Sequence, residues 1–492
     1  MFKSITPEQA GISSAAVSKF LSKLHERGLY MHGVLLARGH EIFTEAYWAP
    51  FNRDSIHRMY SQTKSFVGIA IGLLEEEGKL SLDDCLSEHF PEKLACPLDP
   101  RLSSQTIRQT LTMETTGPSD SWFRNETAVD RTEYYFRTTH SNRHPGMIWE
   151  YDSPGSQVLS SLVEKLSGMS LLDYLKSKLF NIMGTFQTAR TLKTRNEDTF
   201  GDSAMICTLR DVASFGRLLM DGGQWQGQQL IPRNYVEAAT SCLVDNDENG
   251  FQPEFRRGYG YQIWQAPREG FAFVGMGGQL TVMLPKYDLL FSCIGDNQGY
   301  DSAYGLILAA LSDFIVDELG ESRAADEDKY QALQMQIRGL KLRCLDGEIC
   351  SPLAQAVNGK QYICEENPMG IEKFSLKFDS TGFGRFCYTN SQGDKSLEFG
   401  IGKNAFGKFP QLGYALDHAC IPQGGDFKYD CATSAAWREP GKLVMKVQII
   451  DLYLGSLFII FSFRENMACV RMWKRAEAFL EEYQGTLTAW CE

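Results

Sequence analysis

Strand signals at both ends of the first 320 residues, helical signals between them, and strand after strand beyond residue 350 predict an α+β fold. The expected architecture is an antiparallel sheet flanked by helices, with an inserted helical lobe, followed by a small all-β domain. At 492 residues the chain is too long for one ordinary core. The expected organisation is a first domain over 1–322, a linker over 323–349 and a C-terminal all-β domain over 350–492. The polar run "ESRAADEDKY" (321–330) marks the start of that linker.

Residues 13–27 read as a helix. The alternating stretch "GVLLARGHEIFTEAYW" (33–48), turning at Arg38-Gly39-His40, reads as a β-hairpin. Residues 61–77 read as a helix apolar on nearly every face, hence central, closed by Gly78. Further on, Ser170-x-x-Asp173 and Thr208-x-x-Asp211 are capping boxes, each opening a helix, and Gly168 ends the helix before the first of them. Strands return in "GYGYQIWQ" (258–265), "EGFAFVGMGGQLTVMLP" (269–285) and "LLFSCIGDN" (289–297). "DSAYGLILAALSDFIVDEL" then closes the unit as a helix. Beyond 350, "KFSLKF", "GRFCYT", "SLEFGIG", "KLVMKVQII", "GSLFIIFSF" and "ACVRMW" are strands separated by turn residues, as in a barrel or sandwich.

Composition narrows the class of function. A net charge of −12 points away from nucleic acid or an anionic membrane as a partner. The N-terminal stretch has no apolar segment of signal-peptide length, and apolar runs are interrupted before the roughly 18–20 residues a spanning helix needs. Thirteen cysteines, odd in number and without C-x-x-C spacing, fit reduced thiols in a cytoplasmic protein better than zinc or a disulfide framework. Neither H-E-x-x-H nor a P-loop is present, so no metal or organic cofactor is implied. The sequence is silent on oligomeric state.

The chemistry centres on "RMYSQTKSFVGIAIGLLEEEGKL" (58–80), where Ser61 stands three residues before Lys64. Residues i and i+3 share a helix face, so hydroxyl and amine can meet. A serine becomes a good nucleophile when a base takes its proton, and burial favours the neutral amine that could do so. Average usage gives a chain this long about two S-x-x-K matches by chance, so spacing alone favours a plain helix start, and the surrounding motifs decide. Tyr151 and Ser153 stand just before a helix in "PGMIWEYDSPGSQVLSSLVEKLSG". Tyr151 beside a cationic lysine can act as general acid or base; taken singly it reads as a helix-start aromatic, with Ser153 a simple N-cap. Gly277-Gly278 fall inside an expected strand, where glycine marks a bulge or a close approach by a ligand. Trp122, Phe123, Trp264 and Tyr300 lie near the motif segments and are candidate pocket aromatics, though each is more often core.

These blocks, with "IRQTLTMETTG", "GDSAMICTLRDVASFGRLLMDGGQWQGQQLIP" and "GYGYQIW…GMGGQ", occur in an order that resembles the serine β-lactamase and penicillin-binding-protein superfamily. The resemblance is to the class C β-lactamase-like branch of esterases and amide hydrolases, over roughly residues 5–320. It implies that the S-x-x-K pair is Ser61 and Lys64, and that Tyr151-Asp152-Ser153 is the Y-x-S motif. Met276-Gly277-Gly278 stands for the K-T-G-like triplet, and the amides of Ser61 and Gln279 form the oxyanion hole. Met276 occupies the place of a lysine or histidine that helps to hold a substrate carboxylate. A thioether cannot do this, which points away from penicillin-like recognition. Glu114 replaces a histidine in a turn expected to be structural. The all-β domain resembles the lipocalin-like appendages of some members.

The implied activity is serine hydrolysis through an acyl-enzyme on esters or amides of small molecules or short peptides. A β-lactamase or D-amino-acid peptidase is an alternative. A catalytically lapsed ligand-binding or scaffold protein is another, drawn from Met276.

Overall fold

The computed structural model describes residues 2–117, 130–138, 142–247, 252–411, 428–477 and 479–491. The chain divides into two compact units, one ending at Lys341 and the other beginning at Leu342.

The first unit is built on a seven-stranded sheet of β1 (Lys3–Ser4), β2 (Met31–Arg38), β3 (Glu41–Tyr47), β4 (Trp264–Ala266), β5 (Gly270–Gly275), β6 (Gln279–Leu284) and β7 (Leu289–Gly295). The spatial order is β1-β3-β2-β7-β6-β5-β4. Every pairing is antiparallel except the short β1, which runs parallel to β3. The central joint is β2 against β7, with Leu36 opposite Phe291, so the two ends of the unit share one sheet as expected. Alternation along β2 explains why Val34–Ala37 is an unbroken apolar run. Val34 and Leu36 pack into one buried cluster with Phe20 and Leu308, while Leu35 and Ala37 pack into another with Val67 and Leu290. A strand covered on both faces reads as a continuous hydrophobic run.

One face carries α1 (Ser14–Glu26), capped by Ser13, whose hydroxyl accepts from the Ala16 amide. The central helix of the inserted lobe is α2 (Thr63–Glu76), with 12 of its 14 residues buried. Beside it lie α3 (Ser153–Ser167), ended by left-handed Gly168, and α4 (Leu209–Met220). The Thr208–Asp211 capping box is complete, whereas at Ser170 the amide of Asp173 is bonded but the Asp173 carboxylate takes the Ser170 hydroxyl rather than its backbone. Helix α5 (Ala303–Leu311) follows β7. A further helix, α6 (Glu327–Arg338), occupies part of the stretch expected to be linker. Its Leu333 is buried in the α1 cluster and the Gln336 carboxamide bonds the Ser18 hydroxyl, so an acidic start does not make this segment a tether.

Two strand expectations need correction. Of residues 258–265 only Trp264 onward is strand, because Gly258 (φ +107°) and Gln262 (φ 58°) turn the backbone. Gly277 and Gly278 lie in a turn between β5 and β6, with Gly275 opposite Gln279 across it. Their φ values of 81° and 92° suit the turn and not a strand.

The second unit is an all-β barrel of β8 (Gln361–Cys364), β9 (Lys373–Phe378), β10 (Phe383–Asn390), β11 (Gly393–Ile401), β12 (Ala405–Lys408), β13 (Asp430–Glu439), β14 (Lys442–Ile450), β15 (Leu454–Arg464), β16 (Met467–Ala476) and β17 (Gly485–Trp490). They run β11-β10-β9-β8-β17-β16-β15-β14-β13-β12, and a parallel pairing of β11 with β13 closes the ring. Its buried side is aromatic: the Phe374 ring lies against those of Tyr362, Phe386 and Phe461. Among the described residues no helix is long and apolar enough to cross a membrane.

Candidate active site

Ser61 does not stand on α2 itself but on a single 3₁₀ turn, Tyr60–Gln62, that leads into it. Tyr60 holds φ at 48°, a left-handed conformation that costs a non-glycine residue about 1–2 kcal/mol. The anchors around it offset that strain. The Thr63 hydroxyl donates to the Tyr60 carbonyl at 2.6 Å and accepts from the Met205 amide at 3.0 Å, while the Met59 amide donates to the Met205 carbonyl at 2.8 Å. At about 1 kcal/mol each, these bonds cover the distortion. The Tyr60 ring is buried beneath the Arg58 guanidinium, 4.4 Å from its centroid. The turn that carries Ser61 is thus held from both sides, and Ser61 is left partly exposed.

Lys64, 2% exposed, donates to the Ser61 hydroxyl at 3.1 Å and to the Asp202 carbonyl at 2.8 Å. Its Nζ lies 4.9 Å from the centre of the Tyr151 ring, which in turn stacks on Trp264 at 5.6 Å and 24°. Ser61, Lys64 and Tyr151 are therefore brought together from two separate elements. Trp264 is a core aromatic supporting Tyr151, and the Tyr300 hydroxyl bonds the Arg27 carbonyl. Trp122 and Phe123 lie outside the described residues.

The N-cap of α3 is Asp152, not Ser153. The Asp152 carboxylate accepts from the Gly155 amide at 2.9 Å, and Ser153 is the first helical residue, 8% exposed, with one residue between it and Tyr151. Asp caps a helix as readily as Ser, and with the cap at Asp152 Pro154 falls in the helix's first turn, where it is tolerated. The turn containing Glu114 braces the segment before Tyr151. The Glu114 carbonyl accepts from Gly146, the Met113 carbonyl from Glu150, and the Met113 sulfur from the Asp152 amide.

The Met276-Gly277-Gly278 turn adjoins the Ser61 turn through the end of β5. A Cβ at Gly275 would fall 2.2 Å from the Met59 carbonyl oxygen, so the strand and the residue leading into the Ser61 turn touch backbone to backbone. Met276 is partly exposed. Gln279 is fully buried, its carboxamide donating to the Met276 and Gly295 carbonyls at 2.7 and 2.8 Å and accepting from the Gly295 amide at 3.0 Å. Its side chain locks the glycine turn onto β7.

Four supporting residues, Arg58, Asp202, Ser203 and Gln262, carry no motif signal. Arg58, buried, donates to the carbonyl and hydroxyl of Ser203 at 2.9 and 2.8 Å, and the Ser203 hydroxyl donates to the Asp202 carboxylate at 2.9 Å. This fixes the segment whose carbonyl receives Lys64. Gln262 links α2 to α3: its carbonyl accepts from Ser65 and its side-chain oxygen from Ser156.

Comparison with known proteins shows what the chain as a whole is similar to. The 6-aminohexanoate-dimer hydrolase of Paenarthrobacter ureafaciens is 25% identical over 304 residues, 58% of this chain and 77% of that protein. Penicillin-binding protein 4* of Bacillus subtilis is 29% identical over 149 residues, 28% of this chain and 31% of that protein. The octameric penicillin-binding protein homologue from Pyrococcus abyssi superposes with a TM-score of 0.50 at 16% identity, covering 96% of this chain and 99% of that one, which speaks to fold alone. The Beta-lactamase family model matches residues 15–312, well over half the chain, and with the fold described above it shows that this protein belongs to the beta-lactamase family of hydrolases.

Proposed function

We propose that the protein is a cytoplasmic serine hydrolase that forms a covalent acyl-enzyme on ester or amide bonds of small molecules or short peptides. The observation that carries this reading is the 3.1 Å contact between the Ser61 hydroxyl and the buried Lys64 amine, with Tyr151 laid over that amine. Geometry of this kind lets a proton leave Ser61 as its oxygen attacks a carbonyl carbon. The amides of Ser61 and Gln279 receive the developing oxyanion. Tyr151 or Ser153 returns a proton to the departing alcohol or amine, and water then releases the acyl group. Small substrates are favoured because the Paenarthrobacter relative is named for hydrolysis of a dimer of a small molecule. Met276, a thioether where a cation would grip a carboxylate, supports esters and amides over penicillin-like substrates. A cytoplasmic setting rests on the thirteen scattered cysteines.

The test pairs the protein with Ser61→Ala against a p-nitrophenyl ester, nitrocefin, a D-Ala-D-Ala peptide and a fluorophosphonate, following turnover and intact mass. The expected result is an adduct that requires Ser61, and ester turnover above nitrocefin turnover. Dominant nitrocefin or D-Ala-D-Ala turnover would replace the reading with a β-lactamase or peptidase. An adduct on Ser61→Ala would remove Ser61 from the chemistry, and no adduct with any reagent would point to a lapsed, ligand-binding site.

A further inference from the structure

The turn between β5 and β6 is held from behind at four successive carbonyls, each by a different donor. Gly275 receives the Tyr304 hydroxyl at 2.6 Å, and Met276 the Gln279 carboxamide at 2.7 Å. Gly277 receives the Asn297 backbone amide at 2.8 Å, and Gly278 the Cys293 thiol at 3.4 Å. The last tie has a directional consequence. A trans peptide is planar, with its carbonyl and N–H opposed. Tying the Gly278 carbonyl to Cys293 therefore turns the Gln279 amide away from β7. That amide is the one proposed to receive the oxyanion.

Tyr304 also joins this turn to the rest of the site. It is the second residue of α5, and the Gly275 it holds lies backbone to backbone against Met59, just before the Ser61 turn. Its phenolic oxygen faces the Gly278 amide as well, so one hydroxyl spans the turn from the residue before Met276 to the residue before Gln279. The Tyr304 ring meets Phe255 edge-on at 5.9 Å, Phe255 lies against Trp264 at 6.0 Å, and Trp264 carries Tyr151. Burial raises the pKa of the phenol, so it stays a donor throughout the neutral range. A phenylalanine would supply the same ring packing. The hydroxyl is what reaches Gly275.

We infer that Tyr304 is a positioning residue for the oxyanion receptor: its hydroxyl fixes the glycine turn against the Ser61 turn and so keeps the Gln279 amide aimed at the carbonyl under attack. Tyr304 acts through the turn and takes no part in bond making. The inference rests on the reading of Ser61 as the nucleophile and deepens it.

The experiment compares the full-length protein with Tyr304→Phe, and with Tyr300→Phe as a control, since the Tyr300 hydroxyl bonds the Arg27 carbonyl instead. Melting temperature, kcat and KM for a p-nitrophenyl ester, and inhibition by phenylboronic acid are measured. The boronate becomes a tetrahedral anion when a serine adds to it, so it reports on the oxyanion receptor directly. A donor removed outright costs about 10²–10³ in kcat, and a displaced donor costs part of that. Tyr304→Phe should lower kcat and weaken the boronate in step, by about tenfold or more, with KM and melting temperature close to those of the parent. Tyr300→Phe should change none of them. Parent-like kcat and boronate affinity in Tyr304→Phe would overturn the assignment. So would a melting temperature and KM that worsen along with kcat, or an equal loss in Tyr300→Phe. A parent with no turnover and no fluorophosphonate on Ser61 would overturn the reading of Ser61 and this role with it; a labelled, active parent that tolerates Tyr304→Phe would overturn this role alone.

Discussion

The hydroxyl of Ser156 donates to the carboxamide of Gln262 at 2.6 Å, and through it the helix that follows Tyr151 is tied to the segment leading into β4. Gln262 is 1% exposed and uses every group it has. Its carbonyl accepts from Ser65, the neighbour of Lys64, its amide donates to the Leu111 carbonyl, and its side-chain nitrogen donates to the carbonyls of Thr110 and Leu111. One residue therefore bridges the helix that carries Lys64 and the helix that follows Tyr151.

Gln262→Leu should destabilise the protein by about 2–4 kcal/mol, because it strands buried groups that each cost about 1–3 kcal/mol when unpaired. Urea unfolding measures this. An unchanged midpoint would mean that the two helices are held apart by packing alone.

Tyr151→Phe keeps the ring over Lys64 and its stack on Trp264 while deleting only the hydroxyl. It should leave the melting temperature near that of the parent and lower kcat for ester hydrolysis by a factor of about 10²–10⁴. Equal loss of stability and activity would instead make the hydroxyl a packing element.

Gly275→Ala drives a methyl group into the Met59 carbonyl, a backbone atom that cannot swing aside. Displacement of the Tyr60–Gln62 turn should remove fluorophosphonate labelling of Ser61, with a stability loss of about 1–3 kcal/mol. Labelling at the parent rate would show that the turn tolerates the shift.

His57 is buried against His32, ring nitrogens 3.0 Å apart, and burial lowers its pKa from 6.5 to about 4. The unfolded chain takes up this proton first, so the stabilisation is full above pH 6.5 and is lost as the pH falls toward 4. Stability should drop by about 2 kcal/mol between pH 7 and 5 on this account. His57→Gln should flatten that part of the profile in urea unfolding measured at each pH.

The reach of the sequence differs from one part of the site to another. Ser61 and Lys64 are singled out by the order of the surrounding motifs and not by spacing alone, and the pair still meets across the change from 3₁₀ to α. Asp202 could not be found, since it offers Lys64 a main-chain carbonyl and every residue has one. Arg58 and Gln262 act by being buried, which their polar side chains disguise. Gly277-Gly278 were legible as special but not as a turn, because the flanking residues on both sides continue the strand pattern. In the barrel, β13 escapes notice for a plain reason: "DCATSAAWRE" is alanine and serine where strands usually show valine, isoleucine or aromatics. The helix α6 was hidden by its own charge, with only Leu333 buried along it.

The pairing of β2 with β7 makes partners of Leu36 and Phe291, with more than half of the chain's length made between them. During synthesis at roughly 5–20 residues per second the β2–β3 hairpin is complete for about 10–50 s before β7 exists. Through that interval one edge of β2, the most apolar strand near the N-terminus, has no neighbour, and an unpaired apolar edge invites other chains. Yield in a cell should therefore depend on translation speed and on chaperones that shield nascent strands, and slowing elongation between residues 48 and 289 should increase aggregation without changing the finished fold.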